Sequence, residues 1–263
     1  MVRDKVRIRF RKGGDLRLVS HHDLMRCFER MLRRADIPFH ATNGFNPKPR
    51  MVFALSLGLG IVGCEEAIEL ELDAELPLDD IQARLAREAP SGLEILNIRR
   101  VDPKTTAQVR RVCYRIRVPA DRAQGLSLRI KNLLEAPECW IERIRPQHRR
   151  IDVRAYLRGL CFQSDALTID LWVTPTGSAR PDEILQVLGL SDLLTAGAVL
   201  ERTVLELHDE IESPEQPLSS PPVEPATDGA PTPPIDMPTL IAGPLNFESS
   251  NRDPAAHCQK GNT

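Results

Sequence analysis

The sequence predicts an α+β protein with two copies of a β-α-β-β-α-β unit in tandem and a disordered Pro-rich C-terminal tail. Three observations carry that prediction. Charge alternates in blocks, apolar residues switch twice between strand and helix spacing in the same order, and both patterns stop near Ile211. Residues 1–50 hold 13 bases and 5 acids, 51–90 hold 2 and 9, 91–154 hold 15 and 7, and 155–210 hold 3 and 9. A duplicated unit produces such a basic–acidic–basic–acidic order.

The elements of the first half follow in turn. Val6, Ile8 and Phe10 alternate with Arg7, Arg9 and Arg11, the pattern of a half-buried strand ended by Gly13-Gly14. Ser20 is a good helix N-cap, and Asp23 three residues on makes a capping box with a shorter acid. Leu24, Phe28, Met31, Leu32 and Ala35 then recur at helical spacing up to Pro38. Val52 to Leu59 and Ala67 to Leu72 read as strands. A helix from near Asp79 to before Pro90 and a strand over Leu93 to Val101 complete the unit.

The second half repeats the order. Val112, Tyr114, Ile116 and Val118 mark a strand, and Asp121 to Leu134 a helix. Trp140 to Ile144 and Ala166 to Val173 are strands, with Ile151 to Cys161 a further strand or hairpin between them. Pro181 opens a helix, and Thr203 to Leu207 closes the unit. The order is that of the ferredoxin-like fold, with domains expected at 1–104 and 108–210 and one continuous α+β domain as the main alternative.

Residues 211–263 hold 11 of the chain's 22 prolines, including Pro221-Pro222 and Pro233-Pro234. Such density removes backbone donors and fixes φ, so a disordered tail is expected. The tail carries seven acids and two bases, so a whole-chain charge of −2 conceals a body of net +3.

Composition excludes several classes. No window reaches the ~20 apolar residues of a membrane span. The N-terminus alternates charge and does not lead into an apolar signal segment. The six cysteines are scattered, with no C-x-x-C pair, which fits a reducing, cytoplasmic setting and predicts neither an iron–sulfur cluster nor a structural zinc. No cofactor and no metal site are expected, and phosphate-loop and nucleophile-elbow motifs are absent.

The most distinctive stretch is Leu16 to Phe53. Its helix puts Arg26, Arg30 and Arg33 on adjoining rungs of one face. Asn43-Gly44 is a turn signal, and Pro47 and Pro49 stiffen the path through Phe45, Asn46, Lys48 and Arg50. An aromatic flanked by cations can stack a base and grip phosphate. The alternatives are a Phe45 tucked into the core and a merely solvated basic face. His21, at the helix start, is expected near this surface, and His40 is a candidate to join it.

The pieces Phe10-Arg11-Lys12-Gly13-Gly14, Leu18-Val19-Ser20-His21-His22-Asp23-Leu24 and Gly44-Phe45-Asn46-Pro47-Lys48-Pro49 resemble the signature of the radical-SAM-linked proteins. Ile151-Asp152-Val153-Arg154-Ala155-Tyr156-Leu157 is similar to that family's second-half motif, so the resemblance covers roughly 1–210. It implies a radical SAM enzyme as partner and a connection to RNA metabolism, without implying a reaction. Leu often stands in the family where this chain has His22, which favours His21 as the functional member of the pair. The chain is not itself the radical enzyme, since no closely spaced cysteine triplet occurs.

The expected function is a non-catalytic module that binds RNA, or an RNA-linked substrate, for a separate radical SAM protein. The expected binding residues are His21, Arg26, Arg30, Arg33, Phe45, Asn46, Lys48 and Arg50. A metal-independent RNA-processing endonuclease and a protein–protein adaptor are the alternatives. The endonuclease reading lacks a glycine-rich loop near the end of the body, since Ala198 to Leu207 holds no glycine.

Overall fold

The alternation on the first strand decides which side of the sheet becomes core. Val6, Ile8 and Phe10 are all buried, and their neighbours Arg7 and Arg9 project to the opposite side. The computed structural model describes residues 4–144 and 148–210. The tail at 211–263, with Cys258, lies outside the described residues.

The first half runs β1 (Asp4–Lys12), α1 (His21–Arg34), β2 (Met51–Phe53), β3 (Val62–Leu72), α2 (Leu78–Glu88) and β4 (Leu93–Arg100). The second runs β5 (Val109–Arg117), α3 (Leu126–Glu135), β6 (Trp140–Arg143), β7 (Arg149–Asp152), β8 (Leu157–Gln163), β9 (Ala166–Trp172), α4 (Pro181–Val187), α5 (Asp192–Thr195) and β10 (Glu201–Leu207). The protein is α+β, with an 8-stranded sheet in the order β4-β1-β3-β10-β5-β9-β8 and β2 paired to β3. All pairings are antiparallel except β3 with β10, which run parallel through Val62–Gly63 and Glu201–Arg202. That short parallel contact makes the sheet continuous across the two halves.

Each half has its own apolar core. Val6, Ile8 and Phe10 meet Leu24, Phe28, Met31 and Leu32 of α1, Ile68, Leu70 and Leu72 of β3, and Ile81 and Leu85 of α2. Val112, Tyr114 and Ile116 meet Leu126, Ile130 and Leu133 of α3, Leu167, Ile169 and Leu171 of β9, and Ile184 and Leu185 of α4. The β6–β7 hairpin is pinned to α4 by the buried pair Arg143–Glu183, at 2.5 and 2.6 Å.

Three local expectations are corrected. Of the run Val52 to Leu59 only Met51–Phe53 is strand. Beyond it Arg202 donates to the carbonyls of Leu55 (3.3 Å) and Ser56 (3.2 Å), and Gly60 takes φ +81°, so the chain leaves the sheet. The helix expected from Asp121 starts at Leu126, after Gly125 in a left-handed conformation. Arg7, expected on the solvent face of a half-buried strand, is 0 % exposed. Its far side is covered by a 3-10 turn at His208–Glu210.

A buried polar row crosses the junction on the helix side. Arg202 of β10 bonds to Glu66 of β3, with Nε to Oε1 at 2.8 Å, and both side chains are almost fully enclosed. Glu66 folds over Gly63, where a Cβ would stand 2.5 Å from Glu66 Cγ. Burial opposes the Arg202 charge, but Glu66 outweighs it and holds the guanidinium above its ordinary value.

Candidate nucleic-acid interface

Helix α1 is built as its residues dictate. Ser20 Oγ accepts from Asp23 N (3.2 Å) and donates to the Asp23 carboxylate (2.7 Å), which fixes the first turn. The apolar side packs on the sheet, leaving Arg26, Arg30 and Arg33 exposed along one stripe. His22 is exposed and stands four residues before Arg26, so it heads the same stripe.

The segment after α1 forms a small hairpin. Ala41 and Pro49 bridge, Thr42 N donates to Lys48 O (2.8 Å), Lys48 N donates to Thr42 Oγ1 (3.1 Å), and Arg50 N donates to His40 O (2.8 Å). Asn43 to Pro47 make the tip, with Gly44 at φ +138°. Phe45 at that tip is 107 % exposed, so it is not a core residue. Asn46 beside it is exposed as well.

One side chain ties hairpin to helix. Arg33 Nη2 donates to Pro47 O (2.9 Å) and to Glu29 Oε1 (3.1 Å), and its guanidinium lies 5.2 Å over the Phe39 ring. The tip is thereby held beside the C-terminal end of α1. Arg26 pairs with Asp23 at 3.2 Å, and Arg50 approaches Glu71 at 3.7 Å. Exposed pairs of this kind contribute about 0–1 kcal/mol and exchange readily with other anions. The Arg30 guanidinium and the Lys48 ammonium form no hydrogen bond or ion pair among the described residues.

His21 sits elsewhere. Twelve helical steps separate it from Arg33, roughly 18 Å at 1.5 Å per residue. Its half-buried ring meets Phe53 edge to face at 5.0 Å. Burial, then His22 and Lys12, push its pKa below the ordinary value, so it is neutral near pH 7. His40 does not join it, because its Nδ1 lies 2.7 Å from Asp73 Oδ1. The structure thus brings Arg30, Arg33, Phe45, Asn46 and Lys48 to one end of α1 and leaves His21 at the other. Among the described residues no group of His, Cys, Asp or Glu is arranged to hold a metal ion, and no helix is long and apolar enough to cross a membrane.

A family model described as an uncharacterized protein conserved in bacteria (DUF2344) matches residues 5–181. The chain belongs to that family. No curated protein matches the sequence. A crystal structure of an unknown protein from Galdieria sulphuraria is similar at 15 % identity, covering 78 % of this chain and 99 % of that one, with a TM-score of 0.25.

The span matched by the DUF2344 family contains both α1 with its hairpin and the segment Ile151 to Leu157. The latter has a structural job. Asp152 Oδ1 accepts from Cys139 N (2.8 Å) and Arg154 N (3.0 Å). Arg154 donates twice to Leu134 O at the end of α3 and once to Leu157 O, while Tyr156 is buried. Sequence reasoning set His22 aside. Its spacing from Arg26 was the signal that places it on the exposed stripe.

Proposed function

We propose that this protein is a cytoplasmic, non-catalytic module that binds single-stranded RNA, or an RNA-linked substrate, at the C-terminal end of α1 and presents it to a separate radical SAM enzyme. The observation that carries the binding reading is Phe45, fully open at the tip of a hairpin that Arg33 anchors to α1, with Lys48 three residues on and Arg30 one turn before Arg33, both without an ion pair among the described residues. An exposed ring is a stacking platform for any base, and nearby cations supply the phosphate contacts. The radical SAM partner rests on the resemblance of the signature segments. We further read each half as ferredoxin-like, since β4-β1-β3-β2 and β10-β5-β9-β8 share one antiparallel strand order.

The outer face of the sheet, where RNA-recognition modules of similar topology bind, is a poorer candidate. Most of its cations, Arg7, Arg9, Arg111 and Arg115 among them, are already paired with acids, and among the described residues Arg11 is the exposed exception at the end of β1. The test is RNA binding by the full chain and by R30E/K48E, titrated against salt, since Arg33 is kept to hold the hairpin. Loss of a steeply salt-dependent affinity at unchanged melting temperature supports the reading. Unchanged binding in the variant, or salt-insensitive or absent binding in the wild type, overturns it and leaves a protein adaptor. A pull-down with and without ribonuclease tests the partner, since a direct radical SAM protein is retained in both.

A further inference from the structure

The outer face of the first half gathers more positive charge than its strands can neutralise. Arg7 of β1 stands directly across from Arg99 of β4. Like charges in direct cross-strand register repel. Lys5 and Arg9 flank Arg7 on the same face. The only acid that the neighbouring strand β3 sets opposite Arg7 is Glu69, and Lys5 already lies 2.7 Å from its Oε2.

The remaining anions come from the far end of the described chain. Asp209 meets Arg7 through both oxygens, Oδ1 to Nη1 and Oδ2 to Nη2, each at 2.8 Å. Glu210 Oε1 accepts from Arg7 Nη1 (3.0 Å) and Arg99 Nη2 (2.7 Å), and its other oxygen takes Arg9. Two consecutive carboxylates thus sit in a three-arginine fork whose central guanidinium is wholly buried. A guanidinium takes the paired oxygens of a phosphate in the same bidentate manner. Beside the fork opens a cavity of about 660 Å³, with Arg9, Arg99, Asn97, Leu96 and the acid Glu65 on its walls and Glu210 between it and Arg7.

We propose that Arg7, Arg9 and Arg99 form a binding site for a diphosphate-bearing small molecule, and that Asp209 and Glu210 occupy it as an internal competitor. A diphosphate carries two linked anionic centres, as the two adjacent carboxylates do. The cavity leaves room for the group attached to it. The site lies on the sheet face opposite α1 and is independent of the RNA reading.

The acids are held by charge, and together with Arg99, 42 % exposed, they form the solvent side of the cluster over the buried Arg7. Side-chain exposure is 45 % for Asp209 and 23 % for Glu210, against 0 % for Arg7 and 1 % for Glu69. Among the described residues a three-residue turn at the end of β10 carries them. Displacing it returns two carboxylates to water and leaves the arginines for the incoming anion.

The experiment is calorimetric titration of the full chain with inorganic pyrophosphate at low salt, comparing wild type with D209N/E210Q. The double variant keeps hydrogen-bonding groups against the arginines and removes their charge. Its affinity is expected to exceed that of wild type by about tenfold or more, and adding R9A/R99A should abolish the gain. Equal affinities, or no binding by a folded double variant, overturn the proposal. Should the double variant fail to fold, E210Q alone is used and its melting is followed with pyrophosphate present, since a ligand of the native state raises stability by mass action. Failure of pyrophosphate to raise the midpoint, or an equal rise in E210Q carrying R9A/R99A, also overturns it.

Discussion

Arg7 and Arg30 belong to the same basic block of sequence and have opposite fates. Arg7 is enclosed by Glu69, Asp209 and Glu210, whereas Arg30 faces solvent with no ion-pair partner among the described residues. The difference teaches that a basic stretch is not itself a binding surface. What matters is whether the fold delivers acids to it. The second half repeats the lesson, since Arg111 of β5 is met by Asp170 and Glu206. Filled cations hold the sheet together and meet a ligand only where it displaces their acids, whereas open ones are already free to meet one. Variants that move a cation between these conditions break or sharpen the distinction.

The largest effect is expected where a cation is filled and fully enclosed. Arg202→Met strands the Glu66 carboxylate, whose own exposure is 3 %, in the junction between the halves. Removing one partner of a buried pair costs about 3–5 kcal/mol. Urea unfolding should show that loss, and R202M/E66L should recover much of it, because the isolated charge is then gone as well. A double variant as unstable as the single one would mean that the carbonyls of Leu55 and Ser56, not Glu66, are what Arg202 chiefly serves.

Arg7→Met comes next, at about 3 kcal/mol, because Asp209 and Glu210 are partly exposed and Lys5 still faces the buried Glu69. This cluster also gives a pH dependence. Burial pushes the Glu69 carboxyl up, but Lys5 and Arg7 outweigh it and hold it below its ordinary 4.5. Hydrogen bonds from Arg7 hold Asp209 below its ordinary 3.8. Burial raises Glu210 too, yet Arg9, Arg7 and Arg99 bring it lower overall. A carboxylate with a depressed folded pKa stabilises above its unfolded value, and the stability is lost as pH falls through the folded one. Wild-type melting should therefore be flat near neutrality and fall on the acid side of these ordinary values. In Arg7→Met that acid limb should be shallower, and a limb of unchanged steepness would assign it to other carboxylates.

Local patterns were legible and long-range ones were not. The alternation of Val6, Ile8 and Phe10, the Ser20 cap and the Pro181 helix start each depend on neighbours within a few residues, so the sequence displays them. The enclosure of Arg7 depends on Asp209, 202 positions away, and no window of sequence reports that contact. The run Val52 to Leu59 was apolar enough for a strand. Its outcome was set by Arg202 taking two of its carbonyls, a contact formed across the junction. The hairpin tip lies between these cases. Its turn and cations were readable from Asn43-Gly44 and Lys48, but whether Phe45 faced core or solvent depended on how Arg33 and Pro47 meet.

Phe45 gives a middle-sized and one-sided effect. With its ring in solvent, Phe45→Ala should shift stability by no more than about 0.5 kcal/mol. The same change should weaken single-stranded RNA binding by about 1–3 kcal/mol if the ring stacks a base. A loss of stability with affinity intact would place the ring in a packing role and remove the main support for the interface.

The smallest effect is expected where nothing fills the cation. Arg30→Ala and Lys48→Ala each delete an exposed charge with no ion-pair partner, so neither should move the unfolding midpoint beyond about 0.5 kcal/mol. Their signature lies in the salt dependence of RNA binding. Each phosphate contact releases condensed counterions, so removing one cation should lower the slope of log affinity against log salt by about 1, alike for every RNA sequence. Arg26→Ala provides the internal scale, because its charge is already shared with Asp23 at 3.2 Å. A smaller change in slope there than at Arg30 ties binding to unfilled cations. Equal changes at all three positions would mean that the whole α1 stripe, with His22 at its head, acts as one diffuse positive surface and that pairing within it carries no weight.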